Sequence, residues 1–420
     1  MLINPLKNET KIKSVQCNMS KNDVISEIIA YLINNYSEYL NDVELNRNFV
    51  ENLVKEKVYK DYSNMNTDST IEDILNRLFG YHILQKYIDD VDVSDIRITR
   101  YDNILIKKKG TWQKVKDSFI NEEDFLNFVR YCVLKNNGKI TNETPIVVVS
   151  DRKNNLRIEA GIEPVNIESP NLVIRIHRPE NLQTLEELFM TEIEMFNLEI
   201  YKFLKNMIKA GGNVIISGKG GSGKTTLMRN LINQIPRELS ITSNEETAEL
   251  YSTHPNIIQR EIVKNRTSDK NITLADLTRH SLVMSNDVVV IGELKGEEAM
   301  VFFDAVSTGH RGYATVHSDS SLNTIDRLVT LMKRDSKAQM YTDKFLRKLL
   351  AMSVDVVIFM KDFKIYEIAE VVFDEEVNDV KYNLLFEFDV QKYRDGKSIG
   401  CFKKVNELSG KLKEKIEVYC

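Results

Sequence analysis

Apolar residues near the start of the chain recur every three to four positions, which is the spacing of one helix face. They are Val24, Ile25, Ile28, Ile29, Leu32 and Ile33. Similar spacing continues from Val43 to Val58, and a polar run at 64–69 follows it. The pattern predicts a peripheral helical region over residues 1–65 that ends in a polar linker.

Between residues 66 and 187, helical spacing is mixed with short apolar runs. Two segments have helical spacing, Ile71 to Leu84 and Phe125 to Leu134. The short apolar runs typical of strands lie at 96–98, 104–106, 156–158 and 172–176. This mixture predicts a small α+β domain, and two of its strands carry arginines, Arg157 and Arg175.

From residue 188 onward, predicted strands alternate with predicted helices. A helix over 200–208 ends at a pair of glycines, and the buried strand 214–216 comes next. Further strands are predicted at 240–242, 288–291, 314–316 and 354–360. The alternation predicts an α/β domain over residues 188–365, with a parallel-rich sheet covered on both faces. Residues 366–420 are predicted to form a C-terminal tail of short strands and a charged final helix.

A glycine-rich loop lies between the strand at 214–216 and a predicted helix. Residues 218–225 read GKGGSGKT and match G-x-x-x-x-G-K-[ST] at every fixed position. The residues expected to contact a nucleotide are Gly218, Lys219, Gly220, Gly221, Ser222, Gly223, Lys224, Thr225 and Thr226.

The residue types in this loop suit a phosphate group. Glycines let successive backbone N–H groups point at one anion, and the following helix adds the positive end of its dipole. Lys224 is expected to reach the β- and γ-phosphates, and the Thr225 hydroxyl is expected to bind Mg²⁺. The loop therefore predicts a nucleotide site but leaves the reaction open.

A carboxylate on a second strand is the other part that phosphoryl transfer needs. Four aliphatic residues at 288–291 predict a central strand, and Glu293 comes at its carboxyl end. Ligands of open α/β sheets bind at that edge. Glu293 is therefore expected to help hold Mg²⁺ through water.

Two further groups have both a functional and a structural interpretation. The acidic residues Glu245, Glu246 and Glu249 follow another predicted strand, and one of them could orient the attacking water. Acidic residues are equally typical of a helix N-terminus. His310 and His317 flank the strand at 314–316, where an imidazole could contact a γ-phosphate or could be purely structural.

Composition limits the choice of partners. The 420 residues carry 57 Lys and Arg against 62 Asp and Glu, a net charge of −5, so there is no global basic field of the kind that marks nucleic-acid binders. No apolar run approaches the ~18 residues that span a bilayer. The first 13 residues lack a secretory apolar core. We therefore expect a cytoplasmic protein without nucleic acid or a membrane span, held at a membrane only by partners.

Four segments in order resemble the motifs of the secretion ATPase superfamily. They are residues 218–225, 245–250, 291–296 and 308–317, which resemble the Walker A, Asp box, Walker B and His box motifs. The resemblance runs from about Gly80 to Met360 and implies a RecA-like P-loop ATPase domain. Segments 79–98 and 172–176 are most similar to the Tad (tight adherence) pilus ATPases, with the type IV secretion traffic ATPases as the nearest rival.

The resemblance implies a homo-hexamer that uses ATP and Mg²⁺ to drive pilus assembly or protein secretion through an inner-membrane platform protein. Glu245 would activate water, Glu293 would hold Mg²⁺ through water, and His310 and His317 would sense the γ-phosphate. Arg157 and Arg175 would reach the phosphates when the domains close.

The chain departs from the family pattern at several positions. Glu246 stands where aspartate is usual, Lys295 where arginine is usual, and Asp151 close to the position of a common arginine. The zinc module of some relatives is missing, because Cys17, Cys132, Cys401 and Cys420 lie far apart. Two other functions therefore stay in view, a nucleotide-binding scaffold without turnover and a DNA-translocating ATPase.

Overall fold

The structure is a computed structural model that describes residues 21–40, 46–62, 67–178, 183–190, 194–262, 271–394 and 397–419. The chain divides after His177 into two compact units. Residues 43–45 of the predicted helical spacing and residues 64–66 of the predicted linker lie outside the described residues. The finer division into four domains stays a prediction.

The first unit begins with the helices α1 (Lys21–Leu40), α2 (Arg47–Asp61) and α3 (Thr67–Phe79). Their predicted apolar faces are buried in one cluster, in which Ile28 and Leu32 pack with Val54 and Ile74. The helical prediction is confirmed for the described residues. The predicted linker is shorter than expected, because α3 already begins at Thr67.

The helix predicted to run to Leu84 ends earlier, at Phe79. A Cβ added at Gly80 would lie 2.7 Å from Gln85 Oε1, and that same oxygen accepts a hydrogen bond from the Tyr81 backbone N–H. A short 3₁₀ turn, His82–Leu84, and the helix α4 (Gln85–Asp89) follow. The helical spacing of apolar residues thus continues across a point where one helix ends and another begins.

Six strands form the sheet of the first unit, with the helix α5 (Glu122–Lys135) packed on it. The strands are β1 (Val93–Arg100), β2 (Asn103–Lys108), β3 (Thr111–Lys114), β4 (Ile146–Asp151), β5 (Leu156–Gly161) and β6 (Asn171–Ile176). The order is β3-β2-β1-β6-β5-β4, and all neighbouring strands are antiparallel. Ile96, Ile158 and Ile174 point into the core with Phe125 of α5. The α+β architecture is confirmed.

The second unit alternates helices and strands, as predicted. Its helices are α6 (Leu185–Met190), α7 (Leu198–Lys209), α8 (Lys224–Ile232), α9 (Leu274–Ser281), α10 (Glu298–Ser307), α11 (Leu322–Met332), α12 (Asp343–Ser353) and α13 (Gly410–Tyr419). Its strands are β7 (Val214–Gly218), β8 (Ile241–Glu245), β9 (Ile257–Glu261), β10 (Val288–Leu294), β11 (Arg311–Val316), β12 (Val356–Lys361), β13 (Lys364–Asp374), β14 (Asp379–Arg394) and β15 (Lys397–Lys404).

These nine strands form one sheet in the order β15-β14-β13-β12-β7-β11-β10-β8-β9. The six strands from β12 to β9 are parallel. Val214 and Ile216 face a core with α7 and α8, whereas Ile215 faces a second core with α10 and α11. This is the RecA-like arrangement that was predicted, with helices on both faces of a parallel-rich sheet.

The C-terminal segment differs from the expected tail of short strands. β13, β14 and β15 are 11, 16 and 8 residues long and extend the same sheet in antiparallel fashion. The rings of Tyr366, Phe388 and Phe402 contact one another in tilted pairs along these strands. The apolar pattern underestimated the lengths of the strands because polar residues alternate with these rings.

Among the described residues, no helix combines the length and the apolar character that crossing a membrane requires.

Candidate functional site

Parallel strands bring four predicted site residues to one edge of the second sheet. Gly218 ends β7, Glu245 ends β8, and Glu293 is the residue before the last one of β10. His317 directly follows β11, whose Val316 pairs with Ser217 of β7. Because these strands are parallel and adjacent, their carboxyl ends form one continuous edge, the carboxyl edge.

The phosphate loop has a backbone that only glycine adopts easily. Gly218, Gly221 and Gly223 have φ values of 147°, 76° and 97°. A Cβ at Gly218 would lie 2.3 Å from the carbonyl oxygen of Met360 on the neighbouring strand. No atom lies within 4 Å of the corresponding position at Gly221, so the loop leaves open space there.

Lys224 begins α8 and turns back toward the loop. Its Nζ donates hydrogen bonds to the carbonyl oxygens of Gly218 and Lys219, each at 2.9 Å, and the residue is only 8% exposed. Burial lowers the pKa of Lys224, and the nearby charge of Glu293 opposes that effect. The hydroxyl of Ser222 is buried without a hydrogen-bond partner among the described residues. A bound anion would give the Ser222 hydroxyl a partner and would attract the Lys224 ammonium.

Glu245 is a carboxyl group buried at the end of β8. It is 3% exposed, and its Oε2 accepts hydrogen bonds from the backbone N–H groups of Glu249 at 2.8 Å and Leu250 at 3.0 Å. Burial raises the pKa of Glu245 to about 8, although those two hydrogen bonds lower it. A Cβ at Gly292 would lie 2.9 Å from Glu245 Cγ, so glycine at this position makes room for the carboxyl group. A carboxyl group with this pKa can exchange a proton near neutral pH.

Glu293 is surrounded by cationic and imidazole groups. Its Oε1 lies 2.5 Å from His317 Nε2, and its Oε2 lies 2.9 Å from Lys295 Nζ. Burial and the charge of Lys224 lower the pKa of His317, whereas Glu293 raises it. The structure therefore brings Glu293, His317 and Lys224 into one electrostatic group beside the phosphate loop.

The two unusual residues of the motifs contact each other. Lys295 Nζ lies 2.7 Å from Glu246 Oε2, so the same ammonium joins Glu246 to Glu293. Glutamate is one methylene longer than the usual aspartate, and lysine ends in a smaller group than the usual arginine. The longer acid and the smaller base together form a bridge between the ends of β8 and β10.

A model of a known protein family matches the part of the chain that includes this site. The model described as "Type II/IV secretion system protein" matches residues 137–362, more than half of the chain. The chain belongs to the type II/IV secretion system protein family.

Individual relatives have modest identity. A VirB11 type IV secretion protein of Bartonella quintana is 23% identical over 339 residues, covering 72% of this chain and 94% of that protein. A VirB11 protein of Agrobacterium fabrum is 30% identical over 177 residues, 42% of this chain and 52% of its own length. The solved structure of the Legionella pneumophila ATPase DotB is 19% identical, covers 70% of this chain and 80% of its own, and aligns with a TM-score of 0.49.

His310 does not join the other predicted residues of this secretion-family site. It precedes β11, whose first residue Arg311 pairs with the first residue of β10, so it lies at the amino edge of the sheet. Its Nδ1 is 3.1 Å from the carbonyl oxygen of Ala305. A strand of this length spans roughly 20 Å, so His310 and His317 lie at opposite edges of the sheet.

Arg157 and Arg175 are neighbours on the sheet of the first unit. They form a register pair between β5 and β6, on the face opposite the apolar core. Arg175 Nε donates to Asp95 Oδ1 at 3.3 Å, and the Arg175 side chain is 55% exposed. Two adjacent guanidinium groups on an open face favour an anion.

Asp151 has a structural role in the first unit. Its buried carboxylate accepts hydrogen bonds from the hydroxyl of Tyr81 at 2.5 Å and from Asn154 Nδ2 at 2.7 Å. Burial raises the pKa of Asp151, but these hydrogen bonds outweigh burial and hold it below its usual value. The residue fixes the turn between β4 and β5.

Sequence analysis missed two residues that shape the carboxyl edge. Thr315 donates its hydroxyl to the carbonyl oxygen of Gly292 at 2.6 Å. The buried carboxylate of Glu298 accepts the backbone N–H groups of Lys295 at 2.5 Å and Gly296 at 2.7 Å. Thr315 thus holds the backbone just before Glu293, and Glu298 holds the backbone just after it. The spacing of the motifs does not predict such contacts.

Proposed function

We propose that this protein is a Mg²⁺-dependent ATPase whose site is the carboxyl edge of the second sheet. The observation that carries the proposal is the buried Glu245, with a pKa of about 8, at the same edge as the phosphate loop and its buried Lys224. Phosphates would lie on the loop residues 218–226, where Lys224 would leave its two carbonyl partners for the β- and γ-phosphates.

The donor groups at this edge suit Mg²⁺. This ion prefers oxygen ligands, and Thr225 offers a hydroxyl while Glu293 offers a carboxylate. Glu293 now contacts the Lys295 ammonium and the His317 imidazole, and a water bound to Mg²⁺ would take the place of one of these contacts. Bound Mg²⁺ would neutralise charge on the phosphate oxygens, and Thr225 and Glu293 would hold it, Glu293 through water.

Glu245 is proposed to accept the proton of the attacking water. Its raised pKa favours this role, because a base works best when its pKa lies near the working pH. His317 would report the γ-phosphate through its contact with Glu293. Arg157 and Arg175 would add charge-assisted contacts to ATP when the protein closes, which would make closure depend on the γ-phosphate.

We further propose that the ATPase works as a homo-hexamer that drives a type II/IV secretion or Tad-type pilus system through an inner-membrane platform protein. Family membership supports a secretion role, and the VirB11 relatives are named as type IV secretion proteins. The protein would act in the cytoplasm at the inner face of the membrane, without nucleic acid. His310, at the amino edge, would then support the sheet or an assembly contact.

Turnover of ATP by Lys224→Ala tests the enzymatic part of this proposal. Loss of the ammonium that bridges the β- and γ-phosphates is expected to abolish turnover. Lys209→Ala, an exposed position at the end of α7, is the matched control and should keep full activity. An unaltered protein that binds ATP without turnover would instead support the scaffold function.

A further inference from the structure

An aromatic ring lies beside the phosphate loop on the side away from the carboxylates. Phe363 follows β12, whose Met360 pairs with Gly218 at the start of the loop. A Cβ built on Gly223 would lie 3.1 Å from Phe363 Cδ1, so the ring edge touches the start of α8. Phe363 is 43% exposed, so part of the residue is open to solvent.

The backbone at Phe363 is unusual for a large residue. Asp362 and Phe363 form the two-residue turn between β12 and β13, in which Lys361 pairs with Lys364. Their φ values are 51° and 60°, both in the left-handed region, as in a type I′ turn. The second position of this turn favours glycine, and a bulky residue there is strained. Burial does not explain the choice, because the ring is half exposed, and strain of this kind persists mainly at ligand sites.

Several contacts hold the turn in place. The terminal methyl groups of Met195 and Met360 each lie 3.3 Å from the same point beside Gly223, so they form an apolar wall with the ring. The backbone N–H of Ile365 donates to the Met195 carbonyl at 2.9 Å. The Lys364 ammonium donates to the Glu194 carbonyl at 3.1 Å. The turn is therefore held beside the phosphate loop, and the exposed part of Phe363 is accessible there.

The strand order decides which part of a nucleotide reaches this surface. Glu245, Glu293 and His317 belong to β8, β10 and β11, which all lie on one side of β7. β12 and its turn lie on the other side of β7. A nucleoside triphosphate is elongated, so if its γ-phosphate faces the carboxylates, its base must leave the loop on the β12 side.

We propose that Phe363 is the platform on which the purine base of the bound nucleotide stacks. The inference rests on the proposed ATPase function and assigns a base-binding residue to that site. Stacking on an aromatic ring is sequence-tolerant and depends on the π-face of the base. Stacking on Phe363 would therefore strengthen the binding of ligands that carry a base and would leave the contacts between the loop and the phosphates unaffected.

Phe363→Gly is the decisive variant, because it removes the ring and creates an Asp-Gly turn, the favoured type I′ sequence. The melting temperature of this variant should therefore fall only slightly, because the variant loses the contact of the ring with the start of α8 but relieves the strain in the turn. We would measure the affinities of Mg·ADP, a non-hydrolysable Mg·ATP analogue and Mg·tripolyphosphate, which has no base. Both nucleotides should bind about 5- to 150-fold more weakly, matching the roughly 1–3 kcal/mol of one base–aromatic stack. Tripolyphosphate should bind unchanged.

Two variants control for general effects of the substitution. Phe363→Trp keeps an aromatic face and should retain nucleotide affinity. Phe345→Ala removes a ring of similar exposure, 49%, on α12 and should leave all three affinities unchanged.

Two results would overturn the inference. The first is an unchanged nucleotide affinity in Phe363→Gly. The second is a loss of affinity for tripolyphosphate equal to the loss for the nucleotides, which would mean that the phosphate loop itself had moved. Failure of the proposed function would look different, because the unaltered protein would then bind ATP without turnover, or Lys224→Ala would keep full ATP binding and turnover. Loss of ATP binding in Lys224→Ala together with full affinity in Phe363→Gly refutes the base platform alone.

Discussion

The two edges of the second sheet use buried polar residues in opposite ways. At the amino edge, Asn213 donates its backbone N–H to Asp355 at 2.8 Å and accepts the N–H of Gly312 at 2.9 Å. Lys415 of α13 completes the group with an ion pair of 2.7 Å to Asp355. These groups satisfy one another and tie β7, β11, β12 and α13 together.

At the carboxyl edge, burial shifts the pKa values of charged groups away from their usual values. Glu245 has a raised pKa, Lys224 a lowered one, and the Ser222 hydroxyl has no partner among the described residues. The charged groups Asp355 and Lys415 thus stabilise the fold as an ion pair at the amino edge, whereas Glu245 and Lys224 have shifted pKa values at the carboxyl edge. The comparison teaches that charged groups with shifted pKa values, rather than buried polar groups as such, mark the functional edge.

The largest expected effect is on turnover at the carboxyl edge. Glu245→Gln keeps the size of the side chain and removes the proposed base. ATP turnover should fall by about 10²- to 10⁴-fold, while affinity for a non-hydrolysable ATP analogue stays within a few-fold. Steady-state turnover and analogue titration on the same preparation would check this. Turnover within a few-fold of the unaltered protein would remove Glu245 from the chemistry.

The matching substitution at the amino edge should affect stability instead. Asp355→Ala leaves the Asn213 N–H and the Lys415 ammonium without their shared acceptor. The free energy of unfolding should fall by about 1–3 kcal/mol, measured by urea denaturation, while turnover per folded molecule stays normal. A large loss of turnover without loss of stability would erase the contrast between the two edges.

The dependence of stability on pH should distinguish the carboxyl edge from the amino edge further. Because the pKa of folded Glu245 is about 8 and that of an unfolded glutamate about 4.3, the folded state holds its proton more tightly. Stability linked to this group is present below pH ~4.3 and is lost as pH rises through about 8. Glu245→Gln should therefore gain stability relative to the unaltered protein between pH 5 and pH 9, in thermal melts. A constant difference across that range would mean that the carboxyl group is not strongly desolvated.

The smallest expected effect concerns the bridge of Glu246 and Lys295. Both side chains are partly exposed, so a double-mutant cycle with Glu246→Gln and Lys295→Met should give a coupling energy of about 0.5–1 kcal/mol. The exchange Glu246→Asp with Lys295→Arg should restore the coupling, because the shorter acid then meets the longer base. A coupling energy of zero in the cycle would show that the bridge is incidental.

The sequence predicted the parts of this molecule that depend on local pattern. The phosphate loop, the strand that carries Glu293 and the helix face of Ile28 and Leu32 follow from spacing, and all lie in the expected elements. Spacing also placed His310 and His317 on either side of β11, but the family resemblance assigned both to the γ-phosphate, and the structure places them at opposite edges of the sheet. Phe363 was missed because its position rests on the pairing of β12 with β7, a long-range contact.

Long antiparallel strands were also hard to predict. β14 mixes polar and aromatic residues, and its partners β13 and β15 satisfy its backbone whatever its side chains are. The contact of Glu246 with Lys295 joins residues 49 positions apart in sequence. The order of the strands in the sheet creates the strand pairing of β14 and the contact of Glu246 with Lys295. That order cannot be read from the spacing of residues along the chain.

The central claim is that the carboxyl edge hydrolyses ATP with Glu245 as its base. The most direct test is the pH dependence of kcat between pH 6 and 9.5, measured for the unaltered protein and for Glu245→Gln. The account predicts that kcat rises with pH through an apparent pKa near 8, the value to which burial raises Glu245, and that this rise is lost in Glu245→Gln. A flat profile in the unaltered protein, or the same rise in both proteins, would contradict it.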